Sequence, residues 1–441
     1  MNQFKKVAFY TLGCKLNFSE TSTLSRLFQD AGIAKVSFEE SPDIYVINTC
    51  SVTENADKKC KQLVRKAKRI NEQAFVIIVG CFAQLKPIEI SKMEGVDMVL
   101  GANEKFNVLD HIEELQQNIE KPIVRFDSIK KAKEFIPSFS MGDRTRSFLK
   151  IQDGCDYFCT FCTIPLARGK SRNASIEQTI SEAKKIAKSN VKEIVLTGVN
   201  IGDFGQGGQE NLFELLKALE NVEGIDRFRI SSIEPNLLSN EIIHFCLQES
   251  KKFVPHFHIP LQSGNDLLLK AMRRKYDTAL YRERIEYIKK LRPDACIGVD
   301  VIVGFPGESD ALFEDTVNFL KELDISYLHV FTYSERANTG ANKMHGAVPI
   351  PKRKERSRIL HFLSDRKKRF FYENNKGSKR RVLFEDEDHH GYMHGFTENY
   401  IKIKTPYNRD LRNTFKNVEL NDLDRDGIYK SPAFTNVQTQ H

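Results

Sequence analysis

Short apolar runs alternating with longer stretches of helical spacing organise the first 125 residues. Val7–Leu12, Ile44–Asn48, Phe75–Val79, Met98–Leu100 and Ile123–Phe126 predict strands. Between them, helices are expected near residues 18–31, 55–70, 84–93 and 104–118, with Gly32 placed to end the first. Such alternation predicts a doubly wound parallel sheet. The pattern lapses over residues 127–147, a polar stretch broken by Pro137 and Gly142, which reads as a linker. A second series follows: Phe148–Gln152, Glu193–Leu196, Arg227–Ile230, His256–Ile259, Gly298–Val303 and Tyr327–Phe331, most of them separated by enough chain to hold a helix. Six such units fit an open or incomplete β/α barrel, and the pattern equally permits a second open sheet. Beyond a basic helical stretch at 352–373, residues 376–433 break into short alternating runs that predict a small all-β module. The chain is therefore α/β, divided at 1–126, 127–147, 148–373 and 374–441.

Length and composition narrow the class. At 441 residues the chain exceeds one ordinary core, and 40% hydrophobic with 29% charged residues is the balance of a soluble globular protein. No apolar stretch is long enough for a bilayer, and the N-terminus lacks the apolar segment of an export signal, so a cytoplasmic protein with no membrane partner is expected. Net charge is only +8, but it is clustered: seven of the twelve residues from Lys58 to Arg69 are basic, as are five of the seven from Lys352 to Arg358. Arg366–Arg369 and Lys379–Arg381 add two more runs. Any one run is ordinary solvated surface; several together point to a polyanion such as RNA.

Nine cysteines in a chain without an export signal argue against disulfides and for metal chemistry. Cys155, Cys159 and Cys162 form a CxxxCxxC motif on the loop after the first strand of the second series. Three thiolates leave one iron of a cluster open to a substrate, at the strand end where such folds gather catalytic groups. A zinc site is the competing reading, but it ordinarily takes four ligands, and no fourth Cys or His is nearby. Cys14, Cys50 and Cys81 each follow one of the first three long strands, so a parallel sheet brings all three to one edge. Gly13 and Gly80 precede two of them, giving the backbone room to approach a bulky group. This triad is a second three-ligand cluster site. Cys60, Cys246 and Cys296 are small core residues.

The motif Cys155-Asp-Tyr-Phe-Cys159-Thr-Phe161-Cys162, with the run that follows it, resembles the signature of radical S-adenosylmethionine (SAM) enzymes, in their methylthiotransferase branch. Thr11-Leu-Gly-Cys-Lys-Leu-Asn17, Asn48-Thr-Cys50 and Val79-Gly-Cys-Phe-Ala-Gln84 resemble the three motifs of that family's N-terminal cluster domain, and the C-terminal module resembles the RNA-binding TRAM domain. The resemblance covers the whole chain. It implies two [4Fe-4S] clusters and SAM in two roles, one molecule as radical source and another as methyl donor, with the auxiliary cluster supplying sulfur to carbon 2 of an adenine. It also implies Phe161 against the SAM adenine and Thr197, Gly198 and Asn200 near the methionine end. Glu234 and Ser263 are placed to reach the ribose or carboxylate, and Gly304 lies near the adenine.

Lys15, directly after the first cysteine, resembles the branch acting on threonylcarbamoyladenosine at tRNA position 37, rather than those acting on isopentenyladenosine tRNA or on a ribosomal-protein aspartate. A tRNA substrate, an electron donor such as flavodoxin or ferredoxin, and a sulfur source are the expected partners. A non-catalytic iron–sulfur RNA-binding sensor is the alternative from another class, and it leaves the segments at 197–200 and 303–308 without purpose. Arg168 and Arg172, just past the cluster loop, could bind a carboxylate or phosphate, and His256 and His258 share one face of a strand in a structural or substrate-lining role. One stretch departs from the family: Ser334-Glu-Arg-Ala-Asn-Thr-Gly-Ala341 keeps Arg336 but replaces the usual glycine and proline at 338 and 340.

Overall fold

The computed structural model describes residues 4–50, 54–117, 122–132, 134–142 and 145–434. Six parallel strands form the first sheet: β1 (Lys6–Thr11), β2 (Ala34–Lys35), β3 (Ile44–Thr49), β4 (Phe75–Gly80), β5 (Met98–Leu100) and β6 (Ile123–Arg125), in the order β2-β1-β3-β4-β5-β6. Because side chains alternate across a strand, each apolar run feeds two cores. Val46, Ile77 and Val79 pack with Leu24 and Phe28 of α1 (Lys15–Asp30), whereas Tyr45, Ile47 and Ile78 pack with Leu63 and Val64 of α2 (Glu54–Ile70). The single helix expected over 84–93 is two, α3 (Cys81–Leu85) and α4 (Pro87–Ser91). Pro87 lacks a backbone N–H and forces Lys86 out of helical geometry, to φ −138°. The helix expected to end at 118 is a 3-10 turn followed by α5 (Val108–Gln117); residue 118 lies outside the described residues.

The supposed linker contributes structure. Within it, β7 (Ser138–Phe139) pairs antiparallel with β8 (Ser147–Lys150), covering the edge of the second sheet. The Arg26 guanidinium lies 4.1 Å from the centre of the Phe139 ring and donates to its carbonyl at 2.9 Å. A short antiparallel pair, β9 (Gln152–Asp153) and β10 (Arg172–Asn173), follows β8, with α6 (Ile164–Arg168) between them and α7 (Ile176–Ala187) after. Next come β11 (Glu193–Thr197), α8 (Leu212–Glu220), β12 (Arg227–Ile230), α9 (Asn240–His244), β13 (His256–His258), α10 (Asp266–Ala271), α11 (Thr278–Leu291), β14 (Cys296–Val303), α12 (Asp310–Glu322), β15 (Tyr327–Thr332) and α13 (Ile350–Glu373). Strands β8, β11 and β12 pair in parallel, as do β13, β14 and β15; the bridges Phe228–Phe253 and Ser232–His258 join the two groups. Among the described residues β8 and β15 do not pair, so the barrel is open. Its helices start where the chain offers caps: Ser175, Asn211, Ser239, Asn265, Asp277 and Ser309 each accept a first-turn N–H.

The C-terminal strands β16 (Lys379–Phe384), β17 (Tyr392–Phe396), β18 (Lys402–Pro406), β19 (Phe415–Glu419), β20 (Asp422–Leu423) and β21 (Tyr429–Lys430) form one sheet, antiparallel except at β18–β21. Arginines fasten it to the rest. Arg146 reaches Glu385 at 2.9 Å, Arg380 reaches Asp294 at 2.6 Å, and Arg229 donates to the Glu398 carbonyl at 3.2 Å. No helix among the described residues is long and apolar enough to cross a membrane.

Candidate active site

The loop bearing Cys155, Cys159 and Cys162 is pinched at its base, where Asp153 pairs with Arg172 and Gln152 with Asn173. Gly154 turns the chain into it at φ +72°; a Cβ there would strike the Lys170 carbonyl oxygen, so only glycine closes this neck. Each sulfur accepts an N–H: Cys155 Sγ from the Tyr157 amide and Cys162 Sγ from the Ile164 amide, both at 3.4 Å, and Cys159 Sγ from the Arg274 guanidinium at 3.0 Å. Such donors suit thiolates that carry a metal's charge. Burial pushes the Cys155 and Cys162 thiols up to about 12, and Cys159 upward too, so a bound cation is what would draw their protons off. One tetrahedral zinc would hold its sulfurs about 3.8 Å apart. Among the described residues, the three-ligand group within 4.8 Å is not a cysteine triad but His258, Asp300 and His329.

Beside the loop lies a cavity of about 230 Å³ lined by Phe161, Cys162, Gln262, Asp300, Phe331 and Arg336, among others. Phe161 meets Phe305 edge-on, with centroids 6.4 Å apart. The expected contact residues divide into two groups. Glu234 pairs with Arg274, the same side chain that donates to Cys159, and so is tied to the first triad. Asn200 is buried with no well-formed partner for its amide, beside Asp203, whose carboxyl burial pushes up to about 6. The others make contacts within the protein. Thr197 is buried at the end of β11, and its carbonyl accepts from Ile151. Gly198 leaves room for Gln152, whose Oε1 accepts from the Val199 and Asn200 amides at 3.0 and 2.9 Å. Ser263 Oγ lies 3.2 Å from Thr316 Oγ1 and accepts from the Asn265 amide, while a Cβ on Gly304 would collide with Arg353.

Sequence reasoning missed Arg274, Gln152 and Asp203. Arg274 stands on no strand end, and nothing in its spacing marks it. Replacing it with Met is expected to lower activity about 10- to 100-fold, the usual cost of losing a partner that orients a metal ligand, with the Arg274→Lys enzyme in between. Product formation together with iron content checks this. In the departed stretch, Asn338 takes φ +65°, a left-handed turn that asparagine tolerates, so a turn survives the loss of glycine.

At the other sheet, Cys14 caps α1, Cys50 follows β3 and Cys81 opens α3 directly after β4. Gly13, at φ +106°, sits so close that a Cβ would lie 2.7 Å from Cys50 Cβ; a Cβ on Gly80, at φ +97°, would run into the Thr49 backbone. Cys14 is exposed, Cys50 half-buried and Cys81 buried. Burial raises the Cys81 thiol, opposed by the Arg168 charge, while Cys14 adds to the rise.

Arg168 does bind carboxylates, but they are the protein's own, and it is not surface charge. It is buried, with Nη1 at 3.0 Å from both Glu20 Oε1 and Asp153 Oδ1 and Nη2 at 2.6 Å from Asn17 Oδ1. Lys105 reaches Glu20 at 2.6 Å, Lys150 lies 3.3 Å from Glu20 and 3.5 Å from Asp153, and Arg172 lies 3.0 Å from Asp153. Both arginines are thus committed to a network that locks α1, which Cys14 starts, against α6, which begins two residues past Cys162.

Residues 6–101 match the Uncharacterized protein family UPF0004, and residues 149–320 match the Radical SAM superfamily. The chain is 42% identical over 401 residues to the threonylcarbamoyladenosine tRNA methylthiotransferase MtaB of Aquifex aeolicus, covering 90% of this chain and 96% of that protein. It is 31% identical over 417 residues to the tRNA-2-methylthio-N(6)-dimethylallyladenosine synthase of Rickettsia rickettsii, covering 91% and 92%. Among solved structures, the radical SAM methyltransferase TsrM of Kitasatospora setae, with cobalamin and a [4Fe-4S] cluster bound, superposes with a TM-score of 0.56 over 77% of each chain; at 12% identity that is a likeness of fold. Sharing this much sequence along nearly its whole length, and carrying a cysteine triad in each of two α/β domains, the chain belongs to the radical SAM methylthiotransferase family.

Proposed function

We propose that this enzyme replaces the C2 hydrogen of N6-threonylcarbamoyladenosine, at tRNA position 37 beside the anticodon, with a methylthio group. In this reading Cys155, Cys159 and Cys162 hold the radical SAM cluster and Cys14, Cys50 and Cys81 a second [4Fe-4S] cluster. The observation that carries it is the buried bridge from Asn17 and Glu20 through Arg168, which joins two cysteine triads that would otherwise belong to separate domains. When bound, the clusters and SAM supply the radical, the sulfur and the methyl group. The chain's own residues do the rest. Arg274 fixes Cys159 and Glu234 together, Phe161, Ile302 and Phe331 give the cavity its apolar wall, and Asn200 and Asp203 offer buried polar atoms to a ligand. The reaction needs an electron donor, for which flavodoxin or ferredoxin would serve, and a sulfur source. The choice of substrate rests on the higher identity to the relative named for threonylcarbamoyladenosine.

The test is anaerobically reconstituted enzyme with dithionite, SAM and tRNA bearing threonylcarbamoyladenosine, followed by nucleoside mass spectrometry. A product heavier by one SCH2 unit is expected. Product from isopentenyladenosine tRNA alone would overturn the substrate, and no 5′-deoxyadenosine from iron-replete protein would overturn the reaction.

Two basic residues of α13 are buried and unavailable to RNA: Arg353 pairs with Glu335 and Arg356 with Glu308. Lys59, Lys61 and Arg65 on α2 and Lys354, Arg358 and Arg366 on α13 remain exposed. Engaging about four phosphates would weaken tRNA binding about a hundredfold between 50 and 200 mM salt. Filter binding across that range checks the slope, and a flat profile would remove both helices from the interface.

A further inference from the structure

Three side chains on adjacent barrel strands meet beside the cavity, outside both cysteine triads, and the middle one, Asp300, lines it. His258 ends β13, Asp300 lies in β14, and His329, in β15, is the register partner of Asp300. His258 Nε2 lies 2.7 Å from Asp300 Oδ1, and His329 Nδ1 lies 3.3 Å from the same oxygen. An ionised carboxylate only accepts, so both imidazoles donate to it. Burial works against the Asp300 charge, but these two bonds hold its carboxyl well below the usual range. Each imidazole then has its second nitrogen for something else. The His329 side chain is 50% exposed, and Asp300 lines the same cavity as Phe161, Cys162 and Arg336. Phe161, Ile302 and Phe331 make much of that cavity apolar, so a carboxylate held between two imidazoles there contributes little to the core and costs desolvation.

We propose that His329, oriented by Asp300 with His258 as its second anchor, forms with Arg336 a subsite for an anionic, hydroxyl-bearing substituent on the substrate base. This rests on the substrate reading above, since the threonylcarbamoyl group carries both a carboxylate and a hydroxyl, whereas an isopentenyl group carries neither. The second nitrogen of His329 bonds the hydroxyl or carboxylate, and Arg336 supplies fixed positive charge. A base without such a substituent offers nothing to the second nitrogen of His329 and forgoes that bond, which is how a polar subsite favours the substrate that can make it.

The experiment uses the reconstituted enzyme under anaerobic conditions and two fluorescent anticodon stem–loop RNAs. One carries threonylcarbamoyladenosine and the other plain adenosine at the same position. Wild type is expected to prefer the modified RNA about tenfold in anisotropy titrations, the ordinary reach of a hydrogen bond to a charged group. His329→Phe and Asp300→Asn are expected to bring the ratio close to one, with His329→Gln recovering part of it. A ratio kept in both His329→Phe and Asp300→Asn proteins of unchanged melting temperature would overturn the subsite. So would a preference that vanishes with EDTA and returns with Zn2+ or Mn2+, because the three residues would then be a metal site. Methylthio product from wild type without any binding preference would overturn the subsite and leave the substrate standing. No product from threonylcarbamoyladenosine tRNA would overturn the substrate and the subsite with it.

Discussion

Cys155→Ala enzyme is expected to release no 5′-deoxyadenosine and form no methylthio product, both falling below about one-thousandth of the parent rate, since a lost ligand costs more than a lost ligand partner. Cys81→Ala is expected to behave differently, keeping 5′-deoxyadenosine release while losing the product. Each change should lower iron from about eight to about four per chain, one four-iron cluster at a time. Parallel assay of nucleoside mass, 5′-deoxyadenosine and iron separates the two roles. If Cys81→Ala protein still delivered sulfur, the second triad would not be the sulfur site.

The second large effect concerns Glu20. Its carboxylate is fully buried and faces Arg168, Lys105 and Lys150, so Glu20→Ala takes from Lys105 its carboxylate partner and leaves Arg168 and Lys150 to share Asp153. Removing one partner of a buried charge network costs about 3–5 kcal/mol, and thermal unfolding should show the loss. An unchanged melting curve would mean the network contributes nothing to the interface. Acid should act on the same bonds. Burial alone would raise Glu20, Asp153 and Glu193, but the arginines beside them hold all three below the usual carboxylate range, Glu193 at about 2. Depressed carboxyl groups contribute stability that is present above the unfolded value of about 4 and is lost as pH falls through the native one. Stability should therefore drop steeply between pH 4 and 2, and less steeply in Glu20→Gln.

Much of the site could be read from spacing. A cysteine after each of three parallel strands has one place to go, because parallel strands present their C-terminal ends along one edge; Cys14, Cys50 and Cys81 follow from that. Cys155, Cys159 and Cys162 are close in sequence and could not be far apart in space. Strand positions were legible for the same reason, since buried parallel strands are continuous apolar runs, and Arg227–Ile230 and Met98–Leu100 have the bounds expected of them.

Long-range pairing was not legible. Arg168 finds Glu20 148 residues away, and Arg274 finds Cys159 115 residues away. A charged side chain looks the same in sequence whether water or a buried carboxylate awaits it. Pattern therefore left Arg168 as a possible anion receptor and gave Arg274 no role. The glycines show the same limit: Gly198 and Gly304 stand where a cofactor contact is expected, and spacing could not tell that a Cβ at the first would meet Ile201 and Gln152 and at the second Arg353. The sequence alone determined the long parallel strands, most of the first domain's helices, the six metal-ligating candidates and the family, because each is written in local spacing. The tertiary structure decided how the elements bearing the two triads are tied together, which polar groups remain for a ligand, and that His258, Asp300 and His329 meet, because those depend on closing the chain over spans from about thirty to about 150 residues.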